Sequence, residues 1–246
     1  MHTAPPDRSS RKRHIIRFLT LSSPLCLASL AFAQQTYVSR FDAFGGYAFL
    51  YSPHIGLFEN GFAAQVGVRP STWFSAGFDY SISTGDTTLT PDLLPTNLQQ
   101  TLAAILAQLA AAGRLPSGYM LRVPIHSRTQ TFAVGPQLAF RHWTHETVFF
   151  RPVFAGAVHE AATPKPADPI AAGIASQLVP SGTKTDTTWF LGLGGGFDVL
   201  FSRHLALRTQ VDVVYDHLFN DLLRDGRWTV RFSVGPAFNF GGNIVH

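Results

Sequence analysis

Cysteine, methionine and charge are all scarce in this chain. Its 246 residues hold one Cys, two Met, and only 14% Asp, Glu, Lys and Arg. Beyond residue 33 there is no run of 18 apolar residues. If that part of the chain crosses a membrane, it does not do so with helices. What is abundant is apolar and aromatic surface: 46% of residues are apolar, 13% are aromatic, and 21 are Phe. That load excludes a disordered chain, and the length suits one domain.

The first 33 residues read as a leader. Arg8, Arg11, Lys12, Arg13 and Arg17 precede an apolar stretch from Phe18 to Leu30. Ala31-Phe32-Ala33 then places small residues where a signal peptidase reads them. The expectation is a signal peptide over 1–33, cleaved before Gln34. The apolar run is short and interrupted by Pro24, which argues against an anchor helix. Cys26 is preceded by Leu25, where lipid acylation of the thiol expects a small residue. Once the leader is gone, the chain has no cysteine for a disulfide, a zinc thiolate or a nucleophile. The remainder carries 14 basic and 14 acidic side chains. The pI of about 9.5 therefore belongs to the leader, and no charge argument for nucleic acid remains.

From residue 37 onward the dominant signal is alternation. Trp228, Val230, Phe232, Val234, Pro236, Phe238 and Phe240 share one face of the last segment. Thr229, Arg231, Ser233, Gly235, Ala237 and Asn239 share the other. Period two over that length is a β-strand, and it denies the three-and-four spacing of a helix. The same pattern begins at Phe41, Phe62, Phe74, Thr131, Val148, Thr188 and Leu205, so eight strands are expected. In the fifth, Val148, Phe150, Pro152, Phe154 and Val158 are placed opposite Arg151, Ala155, Ala157 and His159. Several strands reach the nine to eleven residues that a tilted bilayer crossing needs. Connections alternate between short ones, at 69–72, 142–146 and 202–204, and longer ones. The fold expected is an all-β, eight-stranded, antiparallel up-and-down transmembrane β-barrel over 34–246. Short periplasmic turns, long extracellular loops and one or two loop helices complete it.

The charged residues decide which face meets lipid. Asp42, Arg69, Asp79, Arg141, Arg151, Asp198, Arg208, Asp212 and Arg231 fall on the polar strand face, amid Gly, Ala, Ser and Thr. No strand is expected to contain a lysine, whereas a solvated sheet surface is dense in Lys and Glu. Small residues and matched Arg and Asp suit the inside of a narrow barrel. The nine are assigned to an interior charge network, hydrogen-bonded to offset desolvation. Outside the barrel, a helical insertion is expected at about 84–127. Its helix runs from Thr96 to Ala112, with Thr96 and Gln99 forming a capping box and Gly113 closing it. A second helix is expected from Pro169 to Leu178.

These residues resemble a known family, the small eight-stranded outer-membrane β-barrels of the OmpA-type and opacity-protein-like kind. The stretches that carry the resemblance are FDAFGGY at Phe41 to Tyr47, VGPQL at Val134 to Leu138, GLGGGFD at Gly192 to Asp198, LRTQVD at Leu207 to Asp212, and RFSVG at Arg231 to Gly235. The resemblance implies the outer membrane of a Gram-negative-type bacterium, with lipid and lipopolysaccharide around the barrel. It implies insertion by the barrel-assembly machinery with periplasmic chaperones, through a final strand rich in aromatics such as Phe238 and Phe240. No cofactor is expected.

Chemistry was sought among the hydroxyls, imidazoles and carboxylates. His126 and Ser127 are adjacent, so they point to opposite faces of a strand, whereas a barrel deacylase carries the pair two apart. His142, Trp143, His145 and Glu146 read as a solvated turn. His159 and Glu160 offer two metal ligands, which do not make a site. Gly192 to Gly196 has no lysine and no following helix, so it is not a phosphate loop. Three functions stay open. The first is a structural or surface-interaction barrel, with partners engaged through loops 84–127 and 160–186. The second is a narrow pore for small solutes. The third is a membrane-embedded enzyme acting on lipid or peptide.

Overall fold

A computed structural model describes residues 35–223 and 226–245; the expected signal peptide lies outside them. Eight strands run in chain order: β1 (Ser39–Ser52), β2 (Leu57–Val68), β3 (Phe74–Leu89), β4 (Val123–Phe140), β5 (Glu146–Pro164), β6 (Lys184–Leu200), β7 (Leu205–Asp216) and β8 (Arg227–Asn243). Each pairs antiparallel with the next. β8 returns to β1 through Phe41 opposite Phe240 and Tyr47 opposite Val234, closing the barrel. Closure leaves no free sheet edge, the one sheet arrangement that satisfies every strand amide in hydrocarbon.

The strands run further than the apolar alternation does. Above the aromatic band the outward positions become polar, as at Asn60, Thr84, Arg128, Gln130, His159 and Thr187, while the hydrogen-bonded ladder continues. Contrast between the faces disappears there although the sheet does not. β1 and β2 therefore meet through the tight segment 53–56, with Gly56 in the left-handed region at φ 58°, instead of a long loop. The insertion expected at 84–127 narrows to 90–122, and β6 begins at Lys184, so one strand does contain a lysine.

The second departure is a bulge. Val134 pairs with Ala155 and Leu138 with Phe150, so β5 carries one extra residue there. Arg151 pairs with Gly194 and Phe154 with Gly192, which places the extra residue at Pro152–Val153. A bulge leaves a residue unpaired in the ladder, and a proline without an N–H fits that gap. It also reverses the phase of the strand beyond it. Phe154 and Val158, expected on the lipid side, are buried inside, and Ala155, Ala157 and His159 face out.

Two loop helices stand where they were expected, α1 (Thr96–Ala111) and α2 (Pro169–Leu178). The capping differs. Thr96 is already the first helical residue, Pro95 holds the cap position without a side-chain bond, and Gln99 turns back to the Leu94 carbonyl at 2.8 Å. Gly113, at φ 64°, ends the helix. α2 is capped conventionally: Asp168 Oδ1 accepts from the Ile170 and Ala171 amides at 2.9 and 2.8 Å, with Pro169 in the first turn. Leu102 of α1 and Ile174 of α2 pack together with Leu94, Leu121 and Val123. The two helices thus share one apolar cluster above the long-loop end of the barrel.

Candidate functional site: the ion-paired interior

Side-chain exposure is inverted relative to a water-soluble protein. Arg208 and Asp212 are 0% exposed, whereas Trp189 is 61%, Val134 58% and Phe232 39% exposed on the outer face. Aromatic side chains gather toward both rims. Trp73, Trp143 and Phe201 lie on the short-turn end, and Tyr51, Trp189 and Trp228 toward the long-loop end. That outer surface suits hydrocarbon with interfacial aromatics, and the ladder behind it closes on itself.

Inside, the charges stack in three layers. Nearest the short turns, Arg208 grips Asp198 with Nε and Nη2 at 2.8 and 2.9 Å, reaches Asp42 at 3.0 Å, and donates to Gln65 at 2.8 Å. Arg69 reaches the same Asp42 at 3.5 Å and donates to Asn239 at 2.9 Å. At mid-barrel, Arg231 joins Asp79 at 2.7 and 2.9 Å and Asp212 at 2.6 Å. Arg151 sits 3.4 Å from Asp79 and 3.3 Å from Asp212, with its guanidinium 4.1 Å from the centre of the Phe154 ring. In each of these two layers the paired groups are two arginines and two aspartates. The bidentate grips of Arg208 on Asp198 and of Arg231 on Asp79 are what let such buried pairs recover their desolvation.

Eight of the nine expected charges therefore converge in two clusters. The ninth, Arg141, follows the end of β4 and makes no ion pair among the described residues. A third layer went unread in the sequence. Toward the long loops, Arg227 lies 2.7 Å from Glu160 and 3.4 Å from Asp216, Ser127 donates to Glu160 at 2.8 Å, and Thr129 donates to Glu59 at 3.0 Å. The signal was present: Asp216 keeps the period-two phase of Asp212, and Arg227 that of Arg231. These residues lie beyond the apolar alternation that guided the reading.

Above the third layer, Ile55, Leu57, Leu218, Phe219 and Leu223 close the mouth with apolar side chains. Phe219 holds a left-handed backbone, φ 56°, with its amide bonded to Asp186. A bulky residue holds that conformation only where its surroundings enforce it. The candidate catalytic groups are spread over different faces. His126 faces outward onto Asp86 at 2.9 Å while Ser127 points in to Glu160. His159 bonds Thr187 at 2.7 Å on the outer face. Among the described residues, no three His, Cys, Asp or Glu side chains converge as a metal site would require.

The class that this fold and interior define is the closed eight-stranded antiparallel β-barrel with an ion-paired interior and an apolar outer face. No protein-family profile and no curated protein matches the sequence. Solved structures do. The chain is similar to the outer-membrane protein OprG of Pseudomonas aeruginosa (TM-score 0.48, 8% identity, covering 86% of this chain and 100% of that one). It is similar also to Ail, the attachment invasion locus protein of Yersinia pestis, in complex with sucrose octasulfate (0.44, 12%, 82% and 99%). A third likeness is to Neisserial surface protein A (0.43, 12%, 81% and 96%).

Proposed function

We propose that this chain is an integral barrel of a Gram-negative-type outer membrane with a structural, envelope-integrity or surface-interaction role. It conducts no solute along its axis and carries no enzymatic site. The carrying observation is the filled lumen. A solute would have to break Arg208–Asp198, then Arg231–Asp79–Asp212–Arg151, then Arg227–Glu160, and finally displace Leu218 and Phe219. The first three steps separate buried ion pairs, which is expensive in a low-dielectric interior. Lipid and lipopolysaccharide would surround the barrel. The barrel-assembly machinery and periplasmic chaperones would deliver it, and an extracellular partner would meet the segments 84–127 and 160–186. The test is purified protein examined two ways. Unboiled and boiled samples should migrate differently on a gel, as an intact barrel does. Planar bilayers should stay silent; regular conductance steps would replace this reading with the pore.

A further inference from the structure

Among the described residues, Arg141 is the one member of the expected inner charges that makes no ion pair, although Asp198 and Asp42 lie near enough to favour its charge. In the layer nearest the short turns, Asp198 is gripped by both arms of Arg208, and Asp42 is shared by Arg208 and Arg69. Two aspartates thus already face two arginines, and Arg141 adds a third positive charge. Its Nη1 is buried without a hydrogen-bond partner. Burial, with Arg69 nearby, pushes its guanidinium down to about 10, while Asp198 and Asp42 oppose that shift. Arg40 and Arg203 lie at the same end, and among the described residues Glu146 is the acid there outside the layer.

Arg141 lines a pocket of about 210 Å³ together with Gln35, Thr72, His142, Trp73 and Phe140. Trp73 and Phe140 are more than half exposed on the outer surface. The pocket therefore joins a partly buried guanidinium, one nitrogen of which has no partner among the described residues, to an aromatic rim at the hydrocarbon boundary. A guanidinium fork matches the oxygens of a phosphate, and interfacial aromatic rings pack against acyl chains near a headgroup.

We propose that Arg141 and its pocket bind a phosphate group at the short-turn end of the barrel, that of a phospholipid whose chains lie along Trp73 and Phe140. The inference rests on the membrane reading above. Its test uses the full chain, with wild type and each variant first checked for heat-modifiable migration, so that failure to form a barrel is scored separately. Barrels in nanodiscs of phosphatidylcholine with a minor share of phosphatidylglycerol are released into detergent, and lipids retained per barrel are counted by native mass spectrometry. Wild type should keep a phospholipid that Arg141→Gln loses by about tenfold or more, the scale of one charge-assisted contact. Arg141→Lys should keep an intermediate share, and it reads the site if the glutamine variant does not fold. Arg203→Gln, an exposed arginine on the same rim, should match wild type. If inorganic phosphate binds at Arg141 while no lipid is retained, the acyl contact is wrong and the occupant is a free anion. Equal retention in wild type and both Arg141 variants, or the same loss in Arg203→Gln, overturns the site.

Discussion

Asp212 is the most heavily engaged acid at mid-barrel, which makes Asp212→Ala the sharpest perturbation of the interior. It accepts from Arg231 at 2.6 Å, Arg151 at 3.3 Å and Gln210 at 2.7 Å, and it is fully buried. Its removal leaves two arginines sharing Asp79, one net positive charge in a dry lumen. Breaking a buried pair from one side destabilises by about 3–5 kcal/mol, because the orphaned charge keeps its desolvation penalty. The paired replacement Asp212→Leu with Arg231→Met removes one charge of each sign and leaves Arg151 with Asp79. It should lie within about 1 kcal/mol of wild type or above it. The assay is urea unfolding of barrels refolded into liposomes, followed by tryptophan fluorescence and gel migration, comparing midpoints at unchanged slope. If the single and double variants fall equally, volume and not charge balance holds the lumen. If neither moves, the mid-barrel layer contributes nothing to stability and the argument fails.

Two further outcomes follow from particular positions. Phe154→Ala should destabilise by about 3–5 kcal/mol, since its ring is buried against Phe190 and Arg151; Phe150→Ala, on the lipid side, should lose clearly less, and the same unfolding experiment with the order reversed would contradict the bulge. In α2, bonds from the Ala171 and Ile170 amides and from Tyr119 hold the Asp168 carboxyl below the usual carboxylate range, with slight burial opposing. A carboxyl lowered in the folded state adds helix stability that is present above its unfolded pKa and fades as pH falls through the folded one. Hydrogen exchange at Ile170 and Ala171 should therefore accelerate beyond the intrinsic rate on acidification in wild type and show no such step in Asp168→Asn.

Much of this was legible because a barrel wall repeats every two residues. Trp228 through Phe240 alone sets a strand and its lipid face, and Asp79, Arg151, Asp212 and Arg231 fell on the inner face from parity. Parity survives only while the ladder is regular. One inserted residue at Pro152–Val153 turned Phe154 and Val158 inward, and nothing in an apolar run marks where its phase slips. The third layer was obscured for another reason. Asp216 and Arg227 fall one residue past the ends of the apolar rows that stop at Tyr215 and begin at Trp228, Glu59 lies before the row that begins at Phe62, and Glu160 lies beyond the bulge, so none of the four stood within a regular alternation. Arg141 shared the inner phase of β4 but lay past the strand's end, and the local sequence could not tell that its neighbours were already taken.

The ion pairs of the lumen join strands that are far apart in the chain: Asp79 of β3 with Arg231 of β8, Asp42 of β1 with Arg208 of β7, Glu160 of β5 with Arg227 of β8. A curl of five or six strands would hold acids whose cations had not yet arrived, facing lipid or a half-open trough. Such intermediates are disfavoured by the same electrostatics that stabilise the finished ring. Assembly should thus be all-or-none, with the last strand neutralising the first strands' carboxylates as it seals the cylinder.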